Sequence, residues 1–256
     1  MSATDDAGAP APLIAHLIEL RRRVLYGVLA ILLLFCLLLP WSEQLFALFA
    51  KPLMAALPDG AHMIATSVAA PFLTPFKLSF VAAVFLAAPV LIHQLWRFVA
   101  PGLYASEKRL VVPLLVSTIV LFYSGIAFAY LVVFPLVFAF FIEAAPPGVV
   151  VMTDIASYLD FALAMFFAFG LAFEVPVVTV LLVWAGITTP AGLGRVRPYV
   201  LVGCFIVGAI LTPPDVVSQT LLALPMYLLY EAGIVFARLL VPGAREREAQ
   251  ERIGPG

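Results

Sequence analysis

Three glutamates in this chain are placed where their charge needs an explanation: Glu19, Glu107 and Glu174. Glu174 falls inside the apolar stretch FAFGLAFEVPV, where a charged side chain costs about 2.5–3.5 kcal/mol on insertion scales. A carboxyl in that setting either hydrogen-bonds between helices as a neutral acid or faces a hydrated cavity and meets a ligand or partner helix. Residue types alone leave both readings open. Glu19 in HLIELRRR and Glu107 in FVAPGLYASEKR instead stand beside cations. Local salt bridges, to Arg21–Arg23 or to Lys108 and Arg109, are one account, worth about 0–1 kcal/mol if exposed. The other is an acidic site for a guanidinium ligand, because arginine forks bidentately onto carboxylates. Sequence spacing does not show whether the two carboxylates converge. Phe98, Pro101 and Tyr104 could line such a site or anchor a loop at a membrane interface. Asp215, after Pro213 and Pro214, suits a helix N-cap as well as any functional role.

Catalytic signatures are missing. His16, His62 and His93 are scattered, and no zinc-protease, nucleophile-elbow or phosphate-loop motif occurs. Cys36 and Cys204 each sit in apolar surroundings without a second ligand at metal-binding spacing, so no metal and no cofactor is expected. A net charge of −1 with no basic stripe outside the membrane flanks argues against nucleic acid as a partner. The chain reads as a non-enzyme.

The elements that must position these residues are membrane spans. Of 256 residues 64% are hydrophobic and 11% charged, and the mean hydropathy is +1.12, more apolar surface than a soluble domain of this size can hide. Arg21–Arg23 followed by an apolar run resembles a cleavable leader, but the run is long and ends in Pro40 and Trp41, so it reads as a retained first span. Spans are expected near 24–39, 72–95, 110–141, 158–185, 198–213 and 216–238. The third exceeds the roughly 20 residues a crossing needs, with Gly125 and Pro135 as expected bend points. The fifth, held between Pro198 and Pro213, is expected to be short, and so is the sixth, interrupted by Pro225. Leu45, Phe46, Leu48, Phe49, Leu53 and Leu57 recur at helical spacing, as in a helix lying on the membrane surface. Six crossings put 12 of the 14 Lys and Arg on the side of both termini and leave only Lys51 and Lys77 opposite, so both termini are expected in the cytoplasm. No inverted repeat of the kind that marks many solute carriers is visible. The expectation is an all-α bundle of six transmembrane helices over residues 1–240 and a charged cytoplasmic tail over 241–256.

A set of motifs in a fixed order now adds a resemblance: HLIELRRR (16–23), MIATSVAAPFLTPFKL (63–78), FVAPGLYASEKR (98–109), FAYLVVFPL (128–136), TDIASYLDF (153–161), FAFGLAFEVPV (167–177), RPYVLVG (197–203) and LTPPDVVSQTLLALPMYLLYE (211–231). Together they resemble the TatC family of Sec-independent, twin-arginine protein translocase subunits, over about His16 to Arg238. The resemblance implies a glove-shaped bundle in the bacterial inner membrane, present in multiple copies per receptor complex. It implies binding of the twin-arginine signal peptides of folded precursors, with TatA and TatB as partners and export driven by the proton-motive force. It places the twin-arginine site at Glu19 and Glu107. Functional weight also falls on Arg21, Phe98, Pro52 and Asp215, and on Glu174 as the buried polar position of the fourth span where partner helices or the signal peptide interact. Ser67 stands where some relatives have an acid, and Ala105 where some have a basic residue; neither change touches Glu19 or Glu107.

Overall fold

The computed structural model describes residues 10–56, 62–99, 108–144, 146, 152–212, 216–244, 246, 248 and 249. Among these the chain is helical and contains no strand; one isolated parallel bridge links Ile64 and Asp154. In order, α1 is Pro10–Leu38, followed by a 3-10 turn at Leu39–Trp41; α2 is Ser42–Ala56, α3 Ala70–Val99 and α4 Lys108–Phe128. A π-helical turn, Ala129–Val133, leads into α5, Phe134–Glu143. Then come α6 (Ile155–Ala172), α7 (Val175–Trp184), α8 (Pro190–Arg195), α9 (Arg197–Leu211) and α10 (Val216–Leu240). Among the described residues, five helical stretches are long and apolar enough to cross a membrane, and α9 adds a shorter apolar helix. The chain is a multi-pass membrane protein.

Prolines explain most of the interruptions. Pro135 has no N–H for the carbonyl of Leu131 and its ring crowds that carbonyl, so the helix widens into the π turn just before it. Pro176 likewise ends α6, leaving Phe173 and Glu174 in a turn before α7. At 15 residues α9 spans about 22 Å, less than a hydrocarbon core of about 30 Å, so the fifth span is short as expected. The sixth is not. α10 runs 25 residues through Pro225, because its packed face continues across the proline: Leu222, Ala223, Met226, Tyr230, Ile234 and Ala237 are all buried. Gly125 is no bend point either. It lies within α4, and a Cβ there would collide with the carbonyl oxygen of Phe169, so its bareness allows α4 to approach α6.

The chain forms two compact units, one from residues 1–43 and 76–119, the other from 44–75 and 120–256. In the first, Phe35 of α1 meets Phe80 of α3 edge-on with ring centroids 5.6 Å apart. In the second, Phe49 of α2 sits against Phe134, Tyr158 and Phe166, with Phe134 and Phe166 stacked at 5.1 Å. Part of the apolar face of α2 is thus spent on protein packing: Phe49, Ala50 and Leu53 are buried, while Leu48 and Met54 stay exposed. A second core joins Val180 and Val183 of α7, Leu193 of α8 and Tyr230, Ile234 and Ala237 of α10 to Val241 and Ala244 beyond it. Lipid is as apolar as leucine, so these contacts hold through close packing and hydrogen bonds rather than through exclusion of water. Leu25, Leu29, Leu33 and Leu37 form an exposed i, i+4 stripe along α1, which suits hydrocarbon and not water.

Candidate functional site

α1 begins well before its apolar run, and that early start places Glu19 and Arg23 one turn apart on the same face. Acid before base at i, i+4 is the favourable order on a helix. Arg23 donates from Nη2 to Oε1 of Glu19 and from Nη1, at 3.5 Å, to Oε1 of Gln94 on α3. The Arg23 side chain is 14% exposed and that of Glu19 41%. The Nε of Arg23 is buried and finds no acceptor among the described residues. Phe98 lies on α3 one turn beyond Gln94 and is half-buried. The cluster is therefore a carboxylate that is reachable from solvent, gripped by a largely buried guanidinium, with an amide and an aromatic ring along the neighbouring helix.

The other residues singled out by sequence are distributed as follows. Arg21 is on α1 but exposed, two residues round the helix from Glu19 and outside the cluster. Glu107 and Asp215 lie outside the described residues. Pro52 falls inside α2, where its missing N–H deprives the Leu48 carbonyl of a helical donor. The Tyr130 hydroxyl supplies one at 2.9 Å. Glu174 occupies the turn between α6 and α7, at the N-terminal end of α7, with Oε1 sealed from solvent.

Sequence reasoning missed two polar assemblies. Asp154 caps α6: Oδ2 accepts from the backbone N–H and hydroxyl of Ser157, both at 3.0 Å, and Oδ1 accepts from the N–H and hydroxyl of Thr66 at 3.0 and 2.9 Å. These bonds, from the Ser157 and Thr66 backbone first, hold its carboxyl far below the usual range for aspartate. The adjacent backbone closes the join, with Ile64 N–H bonded to Thr153 O and Ile155 N–H to Ile64 O. The TDIAS spacing carried an N-cap signal; its partnership with Thr66, 88 residues away, did not. The second assembly fixes the start of α9. Arg197 forks onto Glu231 of α10, Nε to Oε1 at 2.6 Å and Nη2 to Oε2 at 2.7 Å, and Tyr227 donates to the same Oε1 at 2.9 Å. Among the described residues no group of His, Cys, Asp and Glu is placed to hold a metal.

In sequence and in fold the chain is similar to proteins already known. Residues 15–225 match the family described as Sec-independent protein translocase protein (TatC). The Sec-independent protein translocase protein TatC of Escherichia coli K12 is 57% identical over 237 residues, 93% of this chain and 92% of its own length. That of Azotobacter chroococcum mcd 1 is 56% identical over 251 residues, 98% and 96% of the two chains. A crystal structure of the twin-arginine translocase receptor TatC superposes with a TM-score of 0.77 at 36% identity, covering 88% of this chain and 98% of that one. The family is one of translocase subunits and not of enzymes. Identity of this extent over nearly the whole length, joined to the same helical fold, means that the chain belongs to the TatC family of Sec-independent protein translocase proteins.

Proposed function

We propose that this chain is the receptor subunit of a twin-arginine translocase, which takes the paired arginines of a signal peptide at Glu19 together with Glu107. One observation carries the reading: the Glu19 carboxylate already binds a guanidinium, that of Arg23, while 41% of the Glu19 side chain stays exposed. An arginine approaching from solvent meets a carboxylate already suited to a guanidinium, and half-buried Phe98 offers an apolar wall on the neighbouring α3. The fold shared with a receptor of that name supports the same reading.

In this scheme residues 1–240 form the six-helix domain and 241–256 a charged tail, with both termini in the cytoplasm of a bacterial inner membrane. The charge bias of 12 against 2 supports that orientation. TatA and TatB complete the complex, several copies of the receptor assemble in it, and the proton-motive force drives export of folded precursors. Once the arginines are held, the apolar part of the signal peptide moves towards Glu174, where a partner helix also meets the bundle. Arg21 contributes positive charge at the membrane surface, Pro52 shapes α2, and Asp215 starts the sixth span.

The test is site-specific crosslinking of a twin-arginine precursor to the receptor in inverted membrane vesicles. Glu19→Ala and Glu107→Ala each reduce crosslinking at wild-type receptor levels. Undiminished crosslinking in both would overturn the assignment.

A further inference from the structure

The three arginines of HLIELRRR have different fates. Arg21 and Arg22 are exposed, and Arg22 lies over the Tyr26 ring at 5.7 Å. Arg23 alone of the three turns inward, with only 14% of its side chain exposed. Burial of a guanidinium is costly unless its donors are met. Here they are met poorly. Nη2 has the Glu19 carboxylate, Nη1 has a long 3.5 Å bond to Gln94, and Nε is sealed from solvent with no acceptor among the described residues. Arg23 is therefore held in place mainly by Glu19, and it would regain full hydration on leaving.

We infer that Arg23 is a built-in competitor for the ligand site: in the empty receptor it occupies the Glu19 carboxylate, and a signal peptide binds by displacing it. The inference rests on the proposed role of Glu19 and specifies how that site is regulated. An incoming arginine replaces the Arg23–Glu19 bond and can fork onto both carboxylate oxygens, whereas a lysine ammonium is a more strongly hydrated point charge with no fork. The competitor thus raises the threshold for every ligand by the same factor and leaves the choice between arginine and lysine to the carboxylate itself.

The experiment measures binding of a twin-arginine signal peptide, and of the same peptide with both arginines changed to lysine, to the full-length receptor in nanodiscs. Wild type is compared with Arg23→Gln, Arg23→Lys and Glu19→Gln, each checked for an unchanged thermal midpoint. Arg23→Gln is expected to bind both peptides more tightly, each by on the order of tenfold, the scale of one strong charged hydrogen bond, with the arginine-to-lysine preference unchanged. Arg23→Lys, which keeps the charge without the fork, shifts in the same direction by less, and it decides the matter alone should Arg23→Gln fail to accumulate. If Glu19→Gln weakens binding while the Arg23 variants leave it unchanged or weaken it, the competitor is refuted and the receptor site stands. If Glu19→Gln leaves binding unchanged, the receptor site itself is refuted, and the competitor with it.

Discussion

Pro52 and Tyr130 should be energetically coupled although one is a helix breaker and the other an aromatic residue far along the chain. A proline inside a helix cannot donate to the carbonyl four residues earlier, here that of Leu48. The Tyr130 hydroxyl bonds that carbonyl at 2.9 Å. Tyr130→Phe removes the donor and keeps the ring, whose neighbours Phe134 and Phe166 lie 6.1 and 6.5 Å away by centroid. Such a bond is worth about 0.5–1.5 kcal/mol, and up to about 3 where no water can take its place. Pro52→Ala restores a backbone N–H at position 52, which reaches the same carbonyl through ordinary helical geometry. In that background Tyr130→Phe should cost almost nothing. The cycle therefore predicts a coupling of about 1 kcal/mol.

The assay is reversible unfolding in mixed micelles, read for wild type, both single variants and the double. A control is available in Tyr158, whose hydroxyl bonds the Phe49 carbonyl at 2.8 Å. That carbonyl retains its helical donor, the N–H of Leu53, so Tyr158→Phe should be indifferent to the residue at position 52. Equal costs for Tyr130→Phe with and without Pro52→Ala would refute the reasoning. So would a coupling of the same size for Tyr158→Phe.

Further outcomes follow from the same geometry. Arg197→Lys keeps the charge but loses the two-pronged grip on Glu231, and should destabilise the start of α9 by about 1 kcal/mol, measured by the same unfolding assay. Gly233→Ala drives a Cβ into Thr179 Oγ1 and sets it 3.0 Å from Pro176 Cα, so α7 and α10 must part at a cost of about 1–3 kcal/mol in that assay. Thr179→Ala should rescue it only in part, because the backbone of Pro176 stays where it is. Asp154 gives a pH signature. Its folded carboxyl titrates below the ordinary value of 3.8, so the folded state favours the ionised form. Its contribution is complete above that value and is lost as pH falls through the folded one. The stability gap between wild type and Asp154→Asn should be constant from neutral pH to about 5 and shrink below about 4; a gap unchanged down to about pH 3 would contradict this.

What the sequence disclosed was mostly what lipid and proline dictate. Six apolar stretches and the skew of Lys and Arg are properties of composition along the chain, so they could be read directly. The short fifth span followed from Pro198 and Pro213. Pro225 misled because a proline signals one lost bond, whereas helix length in a bundle is decided by whether the buried face continues. The polar head of α1 was read as flank rather than helix, since hydropathy marks contact with lipid and not backbone conformation. Within the site, the Glu19–Arg23 pair was visible as i, i+4 spacing. Gln94 was not, being 71 residues from Arg23, and neither was the pairing of Arg197 with Glu231, 34 residues apart. Gly125 looked like a hinge because a glycine's local signal cannot distinguish flexibility from close approach.

The placement of Glu174 shows how the chain tolerates an acid deep in an apolar span. In FEVP the proline follows the glutamate by two residues, so the helix that would have carried Glu174 at its middle is cut into α6 and α7. The acid comes to rest at the N-terminal end of α7, beside the positive end of the helix dipole, where a negative or accepting side chain is favoured even though Glu174 makes no side-chain capping bond there. Pro176 itself stands in the first turn of α7, where its missing N–H costs nothing. Moving the proline and not the acid should therefore abolish the tolerance. Pro176→Ala would let the helix run on through Glu174, returning the carboxyl to a mid-helix position with its backbone N–H groups already spent. The expected result is lower accumulation of the Pro176→Ala protein, relieved by adding Glu174→Gln. An equal loss with and without Glu174→Gln would show that the break serves packing alone.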